Sequence, residues 1–197
     1  FSFISNIFKG FFFTKIIKST IEISIPESPL DSTGNPDKNF PFRFYKKNFW
    51  NNIDLTDERM LRTPVFHNKM TQYLDKLTVK NPDSIIESAD LFISKIKNND
   101  IFKYVVSHIT STYERSNIMG MDAVFVHMVE NYYMQDKCDW VDEKQLKKIV
   151  ERAEKIAPNL IGRVAPEFVD IIGRPFMKGP NGKIYKLSYS KNLFKIQ

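Results

Sequence analysis

Three histidines and one cysteine are the residues of this 197-residue chain whose types could carry nucleophilic, general-base or metal chemistry. Their spacing limits what they can do. His127 and Glu130 stand one helical turn apart, an arrangement that offers two donors to a metal ion. At about 100° per residue, however, the stripe formed by Val124, Phe125, Met128 and Val129 leaves Glu130 nearly opposite and His127 well to one side. His127 is therefore expected on the solvated face, where replacing it by Ala costs under about 1 kcal/mol. His108 flanks its own apolar stripe in the same way. A metal centre needs converging ligands held by supporting partners, and no such set is legible, so no metal ligand and no cofactor is assigned. Cys138 lies in the run Asp136-Lys137-Cys138-Asp139, where two neighbouring carboxylates would raise the thiol's pKa and disfavour the nucleophilic thiolate. The chain contains no Gly-rich phosphate loop, no G-x-S-x-G and no H-E-x-x-H. No catalytic residue is assigned, and the chain is not expected to be an enzyme.

The elements that must position these residues are mostly helical. Thr63 precedes Pro64, the pairing of an N-cap with Pro at the first helical position, and Phe66, Met70, Tyr73, Leu74 and Leu77 follow at helical spacing. Asn81-Pro82 repeats the signal before the stripe of Ile85, Ile86, Ala89, Phe92, Ile93 and Ile96. A third helix carries Ile101, Phe102, Val105, Val106, Ile109 and Tyr113, and a fourth, holding His127, follows Gly120. The fifth opens at Asp142 with Gln145 three residues on, a capping-box arrangement, and runs through Leu146, Ile149, Val150 and Ala153. Starts near 64, 82, 100, 121 and 142 are about twenty residues apart, a repeat-like rhythm without repeated signature residues. The expected fold is all-α, an antiparallel array of about five helices with a short β-hairpin tail.

Composition supports a folded core: 42% of residues are hydrophobic and 26% charged, with a net charge of +6. The positive charge sits at the two ends. Residues 1–50 hold 7 Lys and Arg against 4 acids, residues 51–142 hold 10 against 14, and residues 143–197 hold 12 against 5. An acidic middle lacks the basic face that meets a phosphate backbone, so no nucleic acid is expected as a partner. The first twenty residues carry six Phe and four Ile with lysines spaced among them, too interrupted for a membrane-spanning helix. They read either as a segment packing its aromatics on the domain or as an anchor for a membrane surface or partner. Residues 26–41 are dense in Pro, Asp, Ser and Gly and read as a linker or extended wrap. The expected division is an aromatic segment and linker over 1–41, a helical domain over 42–162, and a separate tail over 163–197.

Helical spacing ends after Pro158. Phe168-Val169-Asp170, the Pro180-Asn181-Gly182 turn and the alternation of Lys183-Ile184-Tyr185-Lys186-Leu187 read as strands and a hairpin. The stretch A-P-E-F…G-P-N-G-K-I-Y-K-L-S resembles the incomplete opening hairpin of the thioredoxin-like domain of bacterial envelope thiol–disulfide proteins and their peroxiredoxin-like relatives. The helical part, FWNNIDLTDERMLRTPVFHNKM (49–70), NPDSII (81–86) and ERSNIMGMDAVFVHMVENYYM (114–134), resembles an uncharacterised helical domain that precedes the thioredoxin-like domain in such proteins. That resemblance covers roughly residues 40 to 165, with IPESPLDSTGNP similar to the linker before it.

The resemblance implies a periplasmic or cell-envelope location, usually as a lipoprotein, a role in thiol redox handling, and a thioredoxin-like domain in cis as partner. It brings no redox residue with it. The family's chemistry needs C-x-x-C at a helix start, whereas Cys138 is the single cysteine and lies in the helical part. The chain is accordingly expected to be part of a longer protein or a truncated gene product. The expected function is that of a non-catalytic accessory module, holding the redox domain or presenting a protein client. A free-standing helical-repeat binding domain is the alternative. Membrane contact is expected only through a lipid anchor or the N-terminal aromatic segment. Arg62, Arg115, Tyr132, Tyr133 and Trp140 are the candidate partner contacts, being interface-anchoring residue types near helix ends; the plainer reading, caps and fillers of helix junctions, is the favoured one for the same residues.

Overall fold

The computed structural model describes residues 11–30, 34–135 and 137–161, together with the backbone of two short strands at 177–178 and 184–185. The described chain is mostly helical. Seven α-helices run in order: α1 Phe12–Thr20, α2 Phe40–Asn48, α3 Pro64–Asp75, α4 Pro82–Ser94, α5 Asn99–Glu114, α6 Asp122–Met128 and α7 Glu143–Ile156. A π-helical turn, Val129–Tyr133, extends α6, and 3-10 turns cover Glu58–Arg62 and Ala157–Asn159. Helices α3 to α7 begin within one residue of the starts read from the sequence. Met177–Lys178 and Ile184–Tyr185 pair antiparallel with Met177 opposite Tyr185. Phe168, the Pro180-Asn181-Gly182 turn and the rest of the expected hairpin lie outside the described residues.

The helix starts are set by local side-chain caps. Asn81 accepts a hydrogen bond from the Ser84 N–H, Asn98 from the Asp100 and Ile101 N–H groups, and Asp142 from the Gln145 N–H. Each satisfies an amide that the first turn leaves without an intrahelical partner, a contribution of about 1 kcal/mol. Thr63 corrects the sequence reading. It occupies the N-cap position of α3, but its side chain does not cap. The hydroxyl turns back and donates to the Met60 carbonyl of the preceding 3-10 turn at 2.7 Å. Gly120, at φ +83°, makes the turn into α6; a Cβ there would meet only ordinary contacts, so backbone conformation rather than space calls for glycine.

Helix α6 sits at the centre, packing on α4, α5 and α7. Val124, Phe125, Val126, Met128 and Val129 are all essentially buried, so this helix is enclosed around most of its circumference rather than along one stripe. At the other end of the core, Trp50 lies flat against Phe92 with ring centres 3.8 Å apart, and Phe49 and Tyr73 meet it edge-on. The irregular segment after α2 thus contributes Phe49, Trp50, Ile53, Leu55 and Met60 to the interior. Helix α1 is strapped to this segment. Lys15 bridges Asp54 and Asp57, while the Arg59 guanidinium covers the Phe12 ring at 4.7 Å. The two cations beside Asp57 hold its carboxyl well below the usual range. Phe11 and Phe13 remain exposed on the outer side. Among the described residues no helix is long and apolar enough to cross a membrane.

Candidate functional site

The crossing of α4 with α6 carries a polar cluster on its rim. Asp90 Oδ2 lies 2.9 Å from His127 Nε2, and the Tyr132 hydroxyl donates to Asp90 Oδ1 at 2.8 Å. Asn131 donates from Nδ2 to the His127 carbonyl at 2.9 Å, and the same nitrogen is 3.2 Å from His127 Nδ1. An amide donor on that side makes Nδ1 the acceptor and assigns the ring proton to Nε2, facing the carboxylate. Burial, followed by the bond to Asp90, pushes the Tyr132 hydroxyl well above the ordinary phenol range. Both imidazole nitrogens are engaged, and the cluster clamps α6 to α4.

This corrects the expected placement of His127. Its side chain is 23% exposed and ties α6 to α4, so it does not lie on a solvated face. A helical wheel holds one buried stripe, whereas α6 is surrounded by three helices and the partner carboxylate arrives from a residue 37 positions earlier. Asp90 itself was not singled out from the sequence. The available signal was its position on α4, four residues after Ile86 and three before Ile93, where a carboxylate flanks an apolar stripe and needs a partner.

An aromatic rim adjoins the clamp. The Tyr132 ring meets Phe102 at 6.1 Å, and Phe102 meets Trp140 edge-on at 5.8 Å. Lys137 Nζ stands 5.3 Å over Tyr132 and Lys103 Nζ 5.7 Å over Trp140. Phe102 and Trp140 are half-buried. Of the candidate contacts, Tyr132 and Trp140 therefore share this face. Tyr133 is buried with its hydroxyl against Thr110 and Ser107 of α5. Arg62 and Arg115 are exposed, the first ending the 3-10 turn and the second following α5, and among the described residues neither joins the aromatic rim. Cys138, in the segment between the π-helical turn and α7, is buried. Burial first, and Asp139 second, push its thiol up to about 12, so the direction read from the sequence holds while the larger cause is packing.

A second histidine crossing joins α3 to α5. His67 Nδ1 is 2.8 Å from the Tyr104 hydroxyl, the His67 and His108 rings meet edge-on at 5.1 Å, and His108 stacks parallel to Tyr104. Thr71, Asp75, His108, Thr112 and Tyr113 line a cavity of about 40 Å³ beside it. Burial, then the neighbouring His67, lowers the His108 pKa from its ordinary value. Among the described residues no group of three or more His, Cys, Asp or Glu side chains gathers at one point.

Fold and site together define a mostly helical domain whose polar clusters join helices in pairs. Residues 14–159 match the model of a domain of unknown function, DUF5106, and the chain belongs to that family. The match begins inside α1, within the aromatic segment. No curated protein and no solved structure matches the chain.

Proposed function

We propose that this chain is a non-catalytic accessory module of a thioredoxin-like thiol–disulfide protein of the bacterial cell envelope, holding the redox domain in cis or presenting a client to it. The observation that carries this reading is the face at the α4–α6 crossing. Its acid and imidazole are bonded to each other, while the half-buried rings of Phe102 and Trp140 form the kind of aromatic patch that anchors protein interfaces. The buried thiol of Cys138, its pKa pushed up to about 12, is a poor nucleophile and suits a structural part. The redox partnership and the envelope location rest on the resemblance of the 163–197 tail to the opening of a thioredoxin-like domain.

The test begins with the codons that follow Gln197 in the gene. An in-frame thioredoxin-like domain with C-x-x-C is expected. Thiol–disulfide exchange by the whole protein is then compared with that of a version lacking residues 14–159. The small-disulfide rate should persist and the rate on a protein client should fall. Insulin reduction by the 197-residue chain alone, with dithiothreitol as electron source, should match that of Cys138→Ser at background. Absence of the downstream motif would favour the free-standing binding domain, and a Cys138-dependent rate would overturn the non-catalytic assignment.

A further inference from the structure

Helix α1 is held to the domain along one side. Phe12 and Ile23 pack on the core, Ser19 is buried, and Lys15 bridges Asp54 and Asp57. At about 100° per residue Phe12, Lys15 and Ser19 share that side, which puts Phe13, Ile17 and Ile21 in a row on the opposite one, each a turn beyond the last. Phe13 is 69% and Ile21 39% exposed, Ile17 is half-buried, and Ile25 in the segment that follows is exposed as well. Lys18 stands exposed beside the row. We propose that this outer row of α1 lies on the surface of an anionic lipid bilayer, its apolar side chains entering the boundary between headgroups and acyl chains.

Charge selects this occupant over a second copy of the chain. Residues 1–21 contain Lys9, Lys15 and Lys18 and no acid. Lys15 and Arg59 balance Asp54 and Asp57, and Glu22, the first acid of the chain, lies near Lys69 of α3. The neighbouring carboxylates are thus answered within the fold, and Lys9 and Lys18 leave the segment cationic. Two such faces repel each other, whereas an anionic leaflet attracts each lysine that reaches it. In the sequence before α1, Phe1, Phe3, Ile4, Ile7 and Phe8 accompany Lys9. Phe and Ile interspersed with Lys is the composition of helices that lie in the plane of a membrane interface. The nine residues of α1 extend about 14 Å, under half of the roughly 30 Å hydrocarbon core, so the helix can rest on a bilayer and not span it. The bridge from Lys15 and the Arg59 guanidinium over Phe12 fix the rotation of α1, so the row faces outward before any lipid arrives. This contact does not depend on the redox partnership proposed above.

Co-sedimentation of the full 197-residue chain, at low salt, with vesicles of phosphatidylcholine and phosphatidylglycerol in equal parts tests the assignment. The chain should partition onto these vesicles and stay in solution with vesicles of phosphatidylcholine alone. Phe13→Ser should lower the partition coefficient about tenfold by removing an inserted ring, and Lys18→Glu, a change of two charges, by about as much or more. Both positions are exposed, so the far-ultraviolet circular dichroism and urea midpoint of each variant should match those of the parent. Residues 143–197 are basic too, with 12 Lys and Arg against 5 acids, and Lys148→Glu on the exposed side of α7 controls for them by binding as the parent does. No partition onto the anionic vesicles, undiminished binding in Phe13→Ser, or a loss in Lys148→Glu equal to that in Lys18→Glu would each overturn the proposal. Self-association of the parent that Phe13→Ser abolishes would overturn it as well, by giving the row to a second copy.

Discussion

Two crossings of this domain engage a histidine across helices, and both bring together residues 37 apart: Asp90 with His127 between α4 and α6, and His67 with Tyr104 between α3 and α5. At the first, a carboxylate accepts from both the imidazole and the tyrosine, and an asparagine holds the remaining ring nitrogen. At the second, Tyr104 engages one nitrogen of His67, and His108 is fixed by ring contacts alone. Residue type is thus a poor guide to role. A carboxylate on one ring nitrogen and an amide on the other lock His127 into the fold, whereas His108 is held by its ring faces and edges.

The largest effect expected is a measure of the apolar ground on which the clamp stands. Phe125, fully buried at the centre of α6, should cost roughly 3–5 kcal/mol on replacement by Ala, read from the urea midpoint at constant slope. A loss under about 1 kcal/mol would mean that α6 is not the enclosed helix described, and the contrast between the two crossings would lose its basis.

Next in size is the clamp itself. His127→Ala leaves Asp90 with one donor and the rim of the crossing with a lost contact; Asp90 is 41% exposed and water can replace the donor, so the expected loss is about 0.5–1.5 kcal/mol. Asp90→Ala removes the shared acceptor from both His127 and Tyr132 and should cost a similar amount. Because the residues touch, the double variant should fall short of additivity by at least about 0.5 kcal/mol. Additive losses in the cycle would show that the pair is merely adjacent.

What the sequence made legible follows from range. Helix starts at Pro64, Pro82, Asn99 and Glu143 are local, written in caps and Pro positions within a few residues, and they were readable. The apolar stripes of α3, α4 and α5 were equally readable, because each helix buries essentially one face; on α4 Ile85, Ala89, Phe92 and Ile93 are buried while Leu91 is exposed. On α6 the stripe of Val124, Phe125, Met128 and Val129 is buried as read, but Val126 is buried too and His127 meets Asp90, because three neighbours surround this helix and no single-helix wheel contains them. The role of Asp90 and the meeting of His67 with His108 are pairings between helices, fixed by tertiary packing. Trp50, Ile53 and Leu55 entered the core from an irregular segment that has no period to read.

The smallest effect concerns pH and separates the crossings by sign and residue. His108 faces His67, Asp75, Tyr104 and Tyr113; burial and the neighbouring imidazole lower its pKa, while Asp75 opposes the shift in part. In the unfolded chain the ring titrates near 6.5. Below that pH the unfolded state binds a proton that the folded state resists, so stability is fully present above about 6.5 and falls as the pH drops toward the lowered folded value. The ring is partly exposed, so solvent screening keeps the change small. Urea midpoints from pH 7.5 to 5.5 should therefore decline less steeply in His108→Gln than in the parent chain. Parallel curves for the two proteins would show that His108 titrates alike in both states, and the contrast drawn between an open and a closed imidazole would then rest on hydrogen-bond geometry alone.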